Sequence, residues 1–211
     1  MKLKYTLATT AILLLCHDTA SAQGMIWFST RISYTVVGHV YGPGDTTQKT
    51  GNTSSETPAG TQTYAGTPLS GSGFSAQLFG GALGTTEGDL AAIGSPSSFR
   101  TGAILGGTPA PQLLSVPGVP AGSSGTFQVK AWDNAGGTIN SWDLALIRGK
   151  SDLFTVFDLG DGVLDFPANL DNFRSFNLVR NPILVPEPGS LTLFGLGGLG
   201  WWLARRRKPT A

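Results

Sequence analysis

Thiols and imidazoles are nearly absent from this chain. Its single cysteine is Cys16, and its two histidines are His17 and His39. Cys16 and His17 fall in an N-terminal stretch read below as a cleaved leader, so the mature chain is expected to keep no cysteine and one histidine. That excludes a disulfide framework, a thiolate zinc site and a cysteine nucleophile. A histidine-rich metal site is excluded by count. Charge is scarce as well: Asp, Glu, Lys and Arg make up 13% of 211 residues, for a formal net charge of +1. Six of the 14 Lys and Arg sit at the two ends. Between 23 and 184 there are eight Lys and Arg against eleven Asp and Glu, which leaves the body near −3. A mildly acidic body has no electrostatic footprint for nucleic acid, so no nucleic-acid partner is expected. The Gly-x-Ser-x-Gly elbow of a serine hydrolase is also missing.

What is present is clearest at the ends. Lys2 and Lys4 precede an apolar stretch from Tyr5 to Leu15, and Ala20-Ser21-Ala22 stands before Gln23. This is the order of a secretory signal peptide over 1–22, with Ala20 and Ala22 defining the cleavage site. Leu13-Leu14-Leu15-Cys16 superficially suggests a lipid-attachment site, but such sites need a small residue before the cysteine, and Leu15 is not small. Cys16 therefore leaves with the signal.

The C-terminal stretch 185–211 has three parts in fixed order. Val185, Pro186, Glu187 and Pro188 come first, where two prolines fix φ and remove two backbone donors, which keeps the segment extended. An uncharged, mostly apolar run follows from Leu191 to Ala204, and Arg205, Arg206, Arg207 and Lys208 close it as a cationic block. Apolar run then basic block is a stop-transfer arrangement. The run is short for a permanent anchor: as a helix it spans roughly 21 Å at about 1.5 Å per residue, against a hydrocarbon core of about 30 Å. It also carries Gly195, Gly197, Gly198 and Gly200, each costing about 1 kcal/mol of helix propensity. Trp201 and Trp202 stand at the interface position. A segment this short suits a hold that lasts only until the chain is cut.

This tripartite tail resembles the PEP-CTERM sorting domain of Gram-negative bacteria, with the Pro-Glu-Pro triplet intact at 186–188. The resemblance implies processing by an exosortase-type membrane protease. It further implies transient membrane attachment through a short transmembrane helix at 191–204, and delivery to the cell surface or an extracellular matrix containing exopolysaccharide. It covers the tail alone.

The body, 23–184, is rich in Gly, Ser and Thr with period-2 stretches, which predicts an all-β domain. Residues 24–41 read as opening strands, and 46–73, almost wholly Thr, Ser, Gly, Pro, Gln and Asn, as a flexible loop. Phe74, Ala76 and Leu78 alternate with Ser75 and Gln77. Phe127, Val129 and Ala131 alternate with Gln128 and Lys130, which places the latter pair on an outer face. Leu144 to Ile147 fits either a short helix or a buried strand, while 153–159 and 173–179 read as closing strands. Together these predict an antiparallel β-sandwich, jelly-roll or immunoglobulin-like. The run from Gly125 to Asp133 is similar to stretches in other ectodomains that bear such tails.

Candidate chemistry is sparse. His39 is expected to be structural. Asp158, Asp161 and Asp165 lie on a Gly-containing loop and form a weak candidate for calcium; a solvated turn is the plainer expectation. No other metal and no cofactor is expected. Trp132 and Trp142 are candidates for stacking against sugar faces, Trp132 on the side opposite Phe127. The functional expectation is a non-enzymatic surface or matrix protein. The alternatives are a carbohydrate-binding module, which needs exposed co-planar aromatics, and a secreted hydrolase, which needs two carboxylates facing across a groove.

Overall fold

A computed structural model describes residues 22–32 and 35–181. Residues 1–21 of the signal peptide, Ala20 among them, the sorting motif from Val185 to Pro188, the segment 191–204 and the block from Arg205 to Lys208 lie outside the described residues. Among the described residues no helix is long and apolar enough to cross a membrane.

Strand β1 (Gln23–Phe28) opens the body, followed by short β2 (Arg31–Ile32), β3 (Val36–Val37) and β4 (Val40–Tyr41). The middle consists of β5 (Gly71–Ala82), β6 (Ala91–Phe99), β7 (Gln112–Pro120) and β8 (Gly125–Asp133). Then come β9 (Ile147–Lys150), β10 (Phe154–Val156), β11 (Phe176–Asn177) and β12 (Val179–Arg180). The only helical pieces among the described residues are three single turns of 3-10 helix. The body is all-β.

The largest sheet is antiparallel in the order β12-β9-β8-β5-β6, with β10 also on β8. A second antiparallel pair joins β1 to β7, while β4 and β11 run parallel. In β5 the side chains alternate as the sequence predicts: Ala76 and Leu78 are buried, and Ser75 and Gln77 are half-exposed. Ile26, Phe28, Leu114 and Val116 from β1 and β7 pack in one apolar cluster with Leu78, Phe127, Val129, Phe173 and Phe176. Each fully buried side chain of this kind contributes about 1.5–3 kcal/mol, which is what gathers the separate sheets around a common core.

Strand β8 departs from expectation. Phe127, Val129 and Ala131 are buried, as the alternation requires, but so are Gln128 and Trp132 on the other face. The chain after β8 folds back over that face. Gln128 donates to the Ser151 carbonyl at 3.0 Å, and the Trp132 indole donates to the Ile139 carbonyl at 3.1 Å. Period-2 alternation correctly separates the two faces but carries no information on whether the second one is wet. The segment at 144–147 is neither alternative: it runs from the end of a 3-10 turn at Trp142–Leu144 to the start of β9, with Leu144 and Leu146 exposed and Ile147 half-buried.

Residues 46–73, expected as a flexible loop, instead form an arm fastened along its length. Val37 and Thr57 exchange two backbone hydrogen bonds of 3.0 Å, and Leu69 N–H donates to the Val40 carbonyl at 2.9 Å. Asn52 donates to the Pro58 carbonyl at 2.8 Å and accepts from the Ser175 N–H at 3.0 Å. Each such bond contributes about 1 kcal/mol net. Hydrogen bonds do here what apolar area, nearly missing from the segment, does elsewhere.

Candidate functional site

The arm places one buried carboxylate against the body. Glu56 is the single charged residue between 50 and 86, and it is buried. Its Oε1 accepts from Tyr41 O–H at 3.1 Å and lies 2.7 Å from His39 Nδ1, while Oε2 accepts from Thr53 N–H at 2.6 Å. The Tyr41 ring stacks on Tyr64 with centroids 4.2 Å apart, and the Tyr64 hydroxyl donates toward the Gly51 and Ser175 carbonyls. Burial alone raises a carboxyl, but the bonds from His39, Ser175 and Thr53 outweigh it and hold Glu56 below the usual carboxylate range. Burial, then the adjacent Glu56 charge, pushes Tyr41 up to about 12. The same two causes push Tyr64 up.

A histidine oriented by a carboxylate is two-thirds of a nucleophile-activating triad. The nearby hydroxyl is that of Ser175, which is buried and accepts from the His39 backbone N–H at 2.8 Å. The cluster's geometry is that of a clasp closing the arm onto β4 and β11. Glu56→Gln is therefore expected to lower stability near neutral pH by about 1–3 kcal/mol, the cost of an imperfectly satisfied buried acceptor. The pH dependence has a definite sign. A carboxyl depressed on folding stabilises fully above its unfolded value of about 4.3, and loses that contribution as pH falls through the lower folded value. Denaturation midpoints measured from neutral pH down to about pH 3 should fall more steeply for the wild type than for Glu56→Gln; parallel curves would remove Glu56 from the clasp.

The aromatic candidates are placed differently from expectation. Trp132 is 0% exposed and unavailable to a sugar. Trp142 is half-buried, its N–H donating to the Gly149 carbonyl at 2.8 Å, with the Arg148 guanidinium 4.2 Å and the Lys130 ammonium 5.1 Å from its ring centroid. The two tryptophans form no open co-planar pair.

The aspartate candidates do not converge. Among the described residues no group of three His, Cys, Asp or Glu is arranged to hold a metal ion. Asp161 Oδ1 instead accepts three backbone N–H groups of its own loop, from Val163 and Leu164 at 2.8 Å and Asp165 at 2.9 Å. Those bonds hold its carboxyl below the usual range. Two glycines let the loop close this tightly. Gly162 sits at φ +73°, and a Cβ on Gly160 would stand 2.0 Å from the Phe166 carbonyl oxygen. The loop holds Val163, Leu164 and Phe166 out in solvent, exposed by 86%, 88% and 93%. Nothing in the local pattern warns of this: the same apolar residues read equally well as core.

Two polar hollows flank Arg174. One of about 400 Å³ is lined by Thr50, Asn52, Gly60 and Gln62, and one of about 280 Å³ by Asp152, Thr155 and Asn172. Arg174 lines both and forms no ion pair among the described residues.

Comparison with known families finds one match, to the family described as PEP-CTERM protein-sorting motif, over residues 184–208. No curated protein and no solved structure matches the chain. The C-terminal end thus carries a PEP-CTERM protein-sorting motif, as its residues predict, and that motif implies an exported protein sorted to the cell surface by an exosortase, a membrane enzyme.

Proposed function

We propose that the chain is a non-enzymatic surface or matrix protein of a Gram-negative bacterium. It crosses the inner membrane, is held there by the segment 191–204, is cut near Pro186-Glu187-Pro188, and is retained with exopolysaccharide. The sorting-motif match at 184–208 carries this reading. The body supports it as an all-β module whose half-buried His39 and buried Glu56 serve packing, its sheets reading as a β-sandwich around the common core. Glycan binding, as the alternative, loses the Trp132 platform and rests on the polar hollows beside Arg174. A hydrolase has less behind it, since Asp161, the best-placed acid of its loop, is occupied by backbone N–H groups.

Intact mass of the protein recovered from cells and medium tests the proposal. The expected species starts at Gln23, lacks the basic block, and is correspondingly lighter than the 21.9 kDa precursor. A surface protein that keeps Arg205 to Lys208, or one that is lipidated at Cys16, would overturn it.

A further inference from the structure

The side chains of Val163, Leu164 and Phe166 have no packing partner among the described residues, yet the shape of their loop is fixed by Asp161 and by Gly160 and Gly162. A preformed loop that exposes three large apolar side chains marks an interaction site. At the other end of the body lies a recess of about 180 Å³, whose wall is formed by Ala135, Ile139, Leu146 and Ile147, with Arg180 on its rim. The two features sit at opposite ends of β8. Val156, which leads into the loop, pairs with Gly125, whereas Asp133 lines the recess. Eight residue steps at about 3.3 Å put the two ends of β8, Gly125 and Asp133, roughly 26 Å apart. The loop of one molecule therefore cannot reach its own recess.

We propose that the protein assembles head to tail, the Val163–Phe166 loop of one copy entering the Ile139–Leu146 recess of the next. Three observations select a second copy as the occupant. The knob is apolar and the recess has apolar walls. The knob carries Asp165, while Arg180 at the recess is exposed and without an ion pair among the described residues. Asp133, the acid at the recess, is already bonded to the Ala135 N–H at 2.8 Å, which leaves Arg180 to meet the incoming acid. A contact between two different surfaces at opposite ends does not close on itself as a two-fold dimer does, and it propagates as a chain of subunits. A single loop seated in one recess buries far less than the roughly 1,200–2,000 Å² of a standard stable interface, so assembly is weak and depends on local concentration.

The near-absence of cysteine makes the test direct. In the full chain with Cys16→Ser, Val163→Cys marks the knob and Asn140→Cys, exposed and adjacent in sequence to Ile139, marks the recess. Treatment of cells with a short bismaleimide should give the double-cysteine variant a ladder of dimers, trimers and higher species. Each single-cysteine variant should give none. Adding Phe166→Ser, a substitution in an exposed loop that leaves the core intact, should abolish the ladder. Asp165→Arg should weaken it, and adding Arg180→Asp should restore it. A double-cysteine variant that stays monomeric overturns the proposal, whether the recess is empty or filled by another segment. So do dimers from Val163→Cys alone, which would mean that loops meet loops. Neither readout depends on whether the tail has been cut.

Discussion

Val129→Asp is expected to unfold the body or leave it barely stable, and Gln128→Asp to damage it too. Val129 is 0% exposed in the middle of β8, and its neighbours across the sheet are Leu78 of β5 and the buried Ser151. A carboxylate there has no cation to pair with, and an unpaired buried charge costs about 3–5 kcal/mol. That is a large part of the roughly 5–15 kcal/mol by which a domain of this size is stable. Sequence alternation alone makes Gln128→Asp nearly harmless. The structure reverses that expectation, because Gln128 is buried and the substitution replaces a donor to the Ser151 carbonyl with a second acceptor. Ser98→Asp, on an exposed position of β6, is the neutral control. Urea midpoints should order Ser98→Asp near wild type, Gln128→Asp well below, and Val129→Asp lowest or already unfolded. Equal midpoints for Gln128→Asp and Ser98→Asp would mean that the second face of β8 is wet.

The second large effect concerns the tail. Pro186 and Pro188 stand between the body and the apolar run, where their fixed φ is expected to keep the chain extended. Glu187 is the one charge between Arg180 and Arg205. A lone carboxylate in a rigid frame is what a complementary charge on a membrane protease would read. Glu187→Ala should leave export and membrane insertion unchanged and abolish release, so that protein with its tail accumulates in the membrane fraction. Neutralising Arg205, Arg206, Arg207 and Lys208 should act earlier, because the stop to translocation is lost. Fractionation with an antibody against the body separates the cases. Normal amounts of tail-free Glu187→Ala protein would reduce the segment to a plain short anchor.

The parts of this chain legible from sequence are those in which local pattern is the cause. The alternation in β5 and β8 fixes which residues share a face, and the order of prolines, apolar run and basic block fixes the sorting tail. What escaped is set by distant segments. Nothing near Trp132 says that the chain from 139 to 151 returns over it. Nothing in a Thr- and Ser-rich stretch says that Glu56 will find His39 and Tyr41, although its isolation among 36 uncharged neighbours from 50 to 86 was a visible sign. The acidic loop is a plainer case: Asp158, Asp161 and Asp165 near glycines read first as a solvated turn, and Asp161 is bonded to the backbone of its own loop.

The enclosure of β8 has a consequence for measurement. Along its full length β8 is bonded to β5 on one edge. On the other it meets β10 at 125–127 and β9 at 130–132, while Ser151 bridges the gap at Val129. Its amides therefore have no local route to solvent, and their deuterium uptake requires opening of the whole body. The uptake rate of one peptide covering 126–132 then reports the global stability of the domain. It can be followed in membrane extracts and culture medium alike, which allows the attached precursor and the released protein to be compared without purifying either to homogeneity.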